Sequence, residues 1–180
     1  MSTAPDHALS SDARETHLPG VSDSRRVIQA ILLAGLVAGV LDIADALIFS
    51  ALRGGSPVRV LQYIASGVLG QDSFQCGAAA AALGLFFHFV IATGAAAVFV
   101  VASLQLPALL RRPFLWGPIY GLVVLVVVNR VVVPLSLVRR APFALNAGFI
   151  NLVTAHIFCV GIPIAFVASR MLLVRRTRHA

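Results

Sequence analysis

Six polar side chains stand inside otherwise apolar stretches of this chain, and their types are suited to binding protons, ions or small polar solutes. They are Asp42, Asp45, His88, Asn129, Arg130 and His156. Ionisable groups that enter a bilayer are costly unless they turn inward to a partner or to water, and they often mark a functional site. We therefore take these six residues as a candidate intramembrane polar site.

The two carboxylates are three residues apart, so on a helix they share one face. Arg130 is the expected partner, because one guanidinium can hold one carboxylate through two parallel hydrogen bonds. The second carboxylate would then accept from a histidine or from Asn129, or carry a proton itself. Two interpretations stay open: a site for a proton, an ion or a ligand, or an ion pair that only fixes the helix register.

His88 and His156 are open to several roles. Carboxylates mixed with imidazoles suit a proton relay, while paired histidines could ligate haem b, or a metal together with the aspartates. The structural alternative is that both rings donate to nearby carbonyl groups. The sequence contains no nucleotide-binding loop, nucleophile elbow, zincin helix or CxxC pair, so we predict neither enzyme activity nor a cofactor.

Four apolar stretches must position these residues. They cover residues 27–52, 78–106, 114–138 and 149–174, and each exceeds the roughly 20 residues that cross a bilayer. Only 12% of the residues are charged and the mean hydropathy is +0.93, which excludes an ordinary soluble domain. We predict an all-α polytopic membrane protein, a four-transmembrane-helix bundle over residues 25–176, after a disordered cytoplasmic tail at 1–24.

The arginines predict the orientation. Eight lie near one set of stretch ends, at positions 25, 26, 111, 112, 170, 175, 176 and 178, and four near the other, at 53, 59, 139 and 140. The positive-inside rule then places both termini in the cytoplasm, and we expect a bacterial inner membrane. The same rule explains the net charge of +7, so nucleic acid is not an expected partner. In this orientation the six polar residues lie roughly 8 to 15 Å below the outer surface, as one polar layer.

The connection after the first stretch predicts a short interfacial helix over residues 57–69. Ser56 precedes a proline, a good start, and Gly70 is a natural stop. Apolar residues recur between them at helical spacing, with Arg59 and Gln62 toward water. We expect this helix to lie on the periplasmic surface. A lid over the polar layer is its functional alternative.

Two glycine pairs, Gly35 with Gly39 and Gly117 with Gly121, have the four-residue spacing that lets helices approach closely. We predict that both pairs pack helices within the bundle, with dimerisation as the alternative. The lipid bilayer is the expected partner, and a homo-oligomer or a larger membrane complex stays open.

The two cysteines are predicted to be free thiols. Cys76 follows the first stretch, while Cys159 lies deep in the fourth. A disulfide would have to join two different depths of the membrane.

The order of features over residues 84–174 resembles the YagU-like inner-membrane proteins. The resemblance rests on His88, a Leu-Pro-x-Leu turn at 106–109, a Trp-Gly pair at 116–117, a Val-Pro-Leu run at 133–135, and His156. It implies an inner-membrane protein associated with acid resistance, and it assigns no functional residue. The first stretch, with Asp42 and Asp45, lies outside the resemblance.

Together these patterns favour a small transport or proton-handling membrane protein whose polar layer forms the site. One alternative is an accessory or structural subunit, in which the layer only fixes packing. A second alternative is a haem or metal redox protein that uses His88 and His156.

Overall fold

A computed structural model describes residues 21–138 and 145–173, with backbone only for residues 21–23. The described residues contain helices, turns and short connections, and no β-strand. The α-helices are α1 (Val21–Leu52), α2 (Pro57–Leu69), α3 (Gly77–Gln105), α4 (Ala108–Arg111), α5 (Pro113–Val127), α6 (Val133–Leu135), α7 (Ala147–Ala155) and α8 (Ile162–Leu173). A 3₁₀ segment covers Gly70–Phe74, and π-helical segments cover Val128–Val132 and His156–Gly161.

Four helical segments are long and apolar enough to cross a membrane. We call them span 1 (Ser24–Leu52), span 2 (Gly77–Gln105), span 3 (Pro113–Leu135) and span 4 (Ala147–Leu173). The all-helical class and the four spans agree with the sequence prediction, and the span ends differ from it by three residues or fewer.

The first helix begins earlier than predicted. The tail was expected to extend to residue 24, whereas α1 already begins at Val21. The rest of the predicted tail, residues 1–20, lies outside the described residues. So do residues 139–144 and 174–180, which contain five of the arginines that were used to predict the orientation.

Close contacts through glycine set the order of the spans as 2–1–4–3. Span 1 lies along spans 2 and 4, and span 3 lies along span 4. Gly35 and Gly39 face span 2, where a Cβ at Gly35 would meet the backbone of Thr93. Gly117 and Gly121 face span 4, and a Cβ at Gly121 would collide with a main-chain carbonyl. Both glycine pairs therefore lie at helix contacts within the chain.

The two ends of the bundle differ, and we call them the α2 end and the opposite end. The opposite end holds a close-packed apolar core that includes Phe99, Val100, Leu110 and Ile164, surrounded by buried alanines. Tyr120 crosses from span 3 toward span 2, where its hydroxyl donates to the carbonyl of Ala95 at 2.6 Å. Its ring lies 4.9 Å from that of Phe99, edge to face. These contacts close the opposite end between spans 2 and 3.

Both π-helical segments lie just before a proline. Pro134 follows the first segment and Pro163 follows the second. A proline lacks an N–H and its ring clashes with the carbonyl four residues earlier, so the helix must adjust upstream. It widens there: the N–H of Val133 bonds to the Val128 carbonyl, and that of Ile162 to Ile157, five residues back.

The helix predicted over residues 57–69 is present as α2, which ends where Gly70 takes a positive φ of 62°. One detail of the prediction is wrong. Gln62, expected to face water, is only 5% exposed and donates its Nε2 to the Gly77 carbonyl at 3.1 Å. The reason is that α2 lies against span 2, where Gly84 lets the backbone of Leu61 approach. Arg59 is exposed, as predicted.

Candidate intramembrane polar site

Four of the six predicted site residues come together near the α2 end. Asp42 interacts electrostatically with His156, His88 and Asp45. Three spans therefore contribute: span 1 supplies both aspartates, span 2 supplies His88 and span 4 supplies His156. His156 is 8% exposed, and the other three are half-buried.

Asn151 belongs to the same site, although the sequence reasoning missed it. Its Nδ2 donates to Oδ2 of Asp45 at 2.7 Å and so joins span 4 to span 1. A carboxylate only accepts hydrogen bonds, so the amide nitrogen is the group that faces it. A signal was present: Asn151 is four residues from the start of span 4 and Asp45 is seven from the end of span 1, which places them at similar depths.

Cys159 is the sixth member of the group. It is half-buried in the π-helical segment of span 4 and interacts electrostatically with Asp45 and Asp42. Both cysteines are free, as the difference in depth predicted, and Cys76 is exposed. The polar cluster thus consists of Asp42, Asp45, His88, Asn151, His156 and Cys159.

The hydrogen bonds of the two histidines define their free nitrogens. Nε2 of His88 lies 2.9 Å from the Gly39 carbonyl oxygen, and Nδ1 of His156 lies 2.9 Å from that of Leu152. A carbonyl oxygen only accepts, so both of these nitrogens carry a proton and donate. The remaining nitrogens, Nδ1 of His88 and Nε2 of His156, are left to accept a proton or to bind a ligand.

The cluster is not an ion-pair network. Within residues 24–138 and 145–173, no arginine or histidine nitrogen lies within 4.0 Å of an aspartate oxygen. The aspartates and histidines are therefore close enough to influence one another, yet they are not paired directly. Direct proton transfer between them would require movement of a side chain or a bridging molecule.

Arg130 and Asn129 were predicted to contact Asp42 or Asp45, and these contacts are not formed among the described residues. Arg130 is exposed on span 3, so the expected pair with Asp42 or Asp45 is absent from the described part of the chain. Asn129 is half-buried and donates its Nδ2 to the Leu125 carbonyl at 3.0 Å. Both residues lie in the π-helical segment, where the regular step of the α-helix no longer sets the direction of a side chain. The pairing prediction, which rested on depth and complementary charge, is wrong because Arg130 is exposed on span 3 and makes no ion pair with either aspartate.

Among the described residues, no three His, Cys, Asp or Glu side chains form a group that could hold a metal ion. Each histidine keeps one ring nitrogen outside the hydrogen bonds given above. Haem b ligation by His88 and His156 stays a prediction.

No protein-family model, curated protein or solved structure matches this chain. The resemblance to YagU-like proteins therefore stays a prediction. The functional argument rests on the geometry of the polar cluster.

Proposed function

We propose that this chain is a small bacterial inner-membrane protein that takes up and moves protons through the polar cluster. One observation carries the proposal: two aspartates and two histidines from three spans are neighbours, and none of the described arginines lies within ion-pair distance of the aspartates. Three apolar spans contribute to a group that has no direct ion-pair partner among the described residues.

The charge of the cluster favours a positively charged substrate. Asp42 and Asp45 are the acidic members, while Asn151 is neutral. Buried carboxylates without a cationic partner become stable by binding a proton or a cation. Imidazole is a common proton donor and acceptor in proteins, and each of these two rings has one nitrogen outside the hydrogen bonds to carbonyl groups. The cluster therefore suits proton uptake better than binding of an anion.

The remaining arginines support the predicted orientation. Arg111, Arg112 and Arg170 are exposed at the opposite end, and Arg170 also stacks over the ring of Phe166 at 5.1 Å. We place this end and both termini in the cytoplasm and α2 on the periplasmic surface. The cluster then lies in the periplasmic half of the bilayer. The resemblance to proteins associated with acid resistance agrees with proton uptake from that side.

The test is proton flux in liposomes. The purified protein is reconstituted with a pH-sensitive dye inside the vesicles, and an inward proton gradient is imposed. We expect the wild-type protein to dissipate it, and Asp42→Asn and His156→Ala to slow the flux by about a hundredfold, as is typical for loss of a proton-transfer group. The matched control is Asp72→Asn, which makes the same chemical change at an exposed acid outside the spans.

Two outcomes would overturn the proposal. One is absence of flux through folded wild-type protein. The other is equal loss in Asp72→Asn and Asp42→Asn, because the flux would then not depend on the cluster.

An accessory-subunit role is the second candidate, and Arg130 favours it. This arginine is exposed on span 3, which is the least buried of the four spans. A charge on the outside of a membrane helix is costly in lipid, so an acidic group on a partner would stabilise it. Native electrophoresis of solubilised membranes would show a complex larger than the chain, which Arg130→Gln would dissociate. A wild-type band at the size of the chain alone would count against this role.

A further inference from the structure

We propose that the two aspartates have separate roles: Asp42 carries the exchangeable proton, and Asp45, held by Asn151, is a positioning residue that fixes span 4 against span 1. The inference rests on the proposed function, because it assigns the proton-binding step to one carboxyl group of the polar cluster.

The hydrogen bond to Asp45 gives that residue a fixed partner. The Asn151 amide donates to its Oδ2 at 2.7 Å. An amide N–H can donate but cannot accept, so Oδ2 is the acceptor in this bond. The bond joins two side chains that are 106 positions apart in the sequence. In the described part of the chain, it links span 1 to span 4 through side chains.

Asp42 is in a different situation, although it lies on the same helix only three residues away. It is half-buried, and its oxygens make no hydrogen bond within the described ranges. A half-buried charge without a hydrogen-bond partner is unfavourable, and taking up a proton removes that charge. Protonation of Asp42 therefore relieves an unfavourable charge, whereas Asp45 already has a hydrogen-bond donor in Asn151.

The groups that face Asp42 can supply and remove the proton. Asp45 lies on span 1, the same helix as Asp42. His88 lies on span 2, and His156 and Cys159 lie on span 4. Nδ1 of His88 and Nε2 of His156 are the ring nitrogens that make no hydrogen bond to a carbonyl oxygen. A proton that leaves one of these nitrogens and forms an O–H bond on Asp42 turns an imidazolium into an imidazole, so charge is conserved.

Asn151 and His156 belong to the same span, which gives Asp45 its positioning role. Because Asn151 ties span 4 to Asp45, it also fixes how far His156 stands from Asp42. Proton transfer depends steeply on the distance and alignment of donor and acceptor. Loss of the bond should slow transfer while the proton-binding carboxyl group stays in place.

Infrared difference spectroscopy of the full chain in lipid tests the assignment without relying on flux. Spectra taken at acidic and at neutral pH show a carbonyl band wherever a carboxyl group gains a proton. We expect the buried carboxyl band to disappear in Asp42→Asn and to persist in Asp45→Asn, with Asp72→Asn as the exposed control. A band that disappears in Asp45→Asn instead, or that neither variant changes, overturns the assignment.

A swap of the two polar partners tests the positioning role. Asn151→Ala and Asp45→Ala each remove the bond, and we expect each to slow flux by about tenfold or more while the Asp42 band remains. The double variant Asp45→Asn with Asn151→Asp restores an amide–carboxylate bond with its direction reversed. Recovery of flux to within about threefold of the wild type supports positioning. A swap variant that is folded but as slow as the single variants overturns it.

The two experiments separate the inference from the proposed function. Absence of wild-type flux contradicts proton transport and leaves the infrared assignment to be decided on its own. Flux in the wild type with the carboxyl band on Asp45 keeps transport and overturns the inference.

Discussion

The two ends of the bundle use the same four helices for different purposes. At the opposite end, Phe99 and Ile164 are almost fully buried, and the buried hydroxyls of Ser103 and Ser169 donate to carbonyls at 2.7 Å. At the α2 end, carboxylates and imidazoles are neighbours without direct ion pairs. The first arrangement leaves few polar atoms without a partner, whereas the second leaves ionisable groups without a direct ion pair.

This difference shows how a small membrane protein can hold reactive groups in place. Dense packing and satisfied polar atoms at one end stabilise the helix order. The other end can then keep a half-buried carboxyl group such as Asp42 without a hydrogen-bond partner in the described structure. Substitutions at the opposite end should therefore change stability, and substitutions in the polar cluster should change function.

The largest stability effect is expected for Phe99→Ala. Its ring is 1% exposed, and removing a fully buried ring leaves a cavity that costs about 3 kcal/mol. Unfolding in mixed micelles measures the loss. The control is Phe86→Ala, which removes the same ring from a position that is 61% exposed. Equal losses in the two variants would remove the distinction between a packed end and a lipid-facing surface.

Gly117→Ala should cost about 2 kcal/mol, because the added methyl group would overlap main-chain atoms that cannot rotate away. The Cα of Ile162 would lie 2.8 Å from the new Cβ. The matched control is Gly94→Ala, where no atom lies within 4 Å and alanine favours the helix by about 0.5 to 1 kcal/mol. The same unfolding assay should give opposite signs for the two variants. If Gly117→Ala is neutral, spans 3 and 4 are further apart than described.

Tyr120→Phe removes one hydroxyl and keeps the ring against Phe99. We expect a loss of about 1 kcal/mol, the usual contribution of one hydrogen bond, from the lost contact with the Ala95 carbonyl. Proton flux per folded molecule should stay unchanged, because this contact lies at the opposite end. A large loss of flux without unfolding would mean that the opposite end takes part in transport and is more than a scaffold.

The smallest stability effect is expected for Asp42→Asn. The two side chains are nearly isosteric, and Asp42 has no hydrogen bond to lose in the described residues, so the change should stay within about 0.5 kcal/mol. The same variant should lose nearly all proton flux. Strong destabilisation would instead assign Asp42 to the scaffold and weaken the contrast between the two ends.

Much of the architecture could be predicted from the sequence because it follows from local rules. Length and hydropathy predict the spans, and Ser56 and Gly70 predict the bounds of α2. The meeting of Asp42, Asp45, His88 and His156 was predicted from depth alone, because intramembrane polar groups at one depth tend to turn toward each other.

The errors arise where direction, rather than depth, decides. Arg130 was assigned to the polar layer by its depth alone, but its side chain is exposed on span 3, in the π-helical segment that precedes Pro134. Gln62 has a polar side chain, yet it is buried where α2 contacts the start of span 2. Neither outcome follows from residue type and spacing, since both depend on how two elements meet in three dimensions.

The π-helical segments of spans 3 and 4 also change the number of residues in a helical turn. A turn closed by a bond five residues back contains one residue more than a regular turn, so each span carries the equivalent of a single-residue insertion. Deleting one residue there would restore a regular turn and change the directions of the side chains within the segment. The direction in which Arg130 and Cys159 face is therefore set partly by residue count, and homologues that differ by one residue in either span would present a different surface.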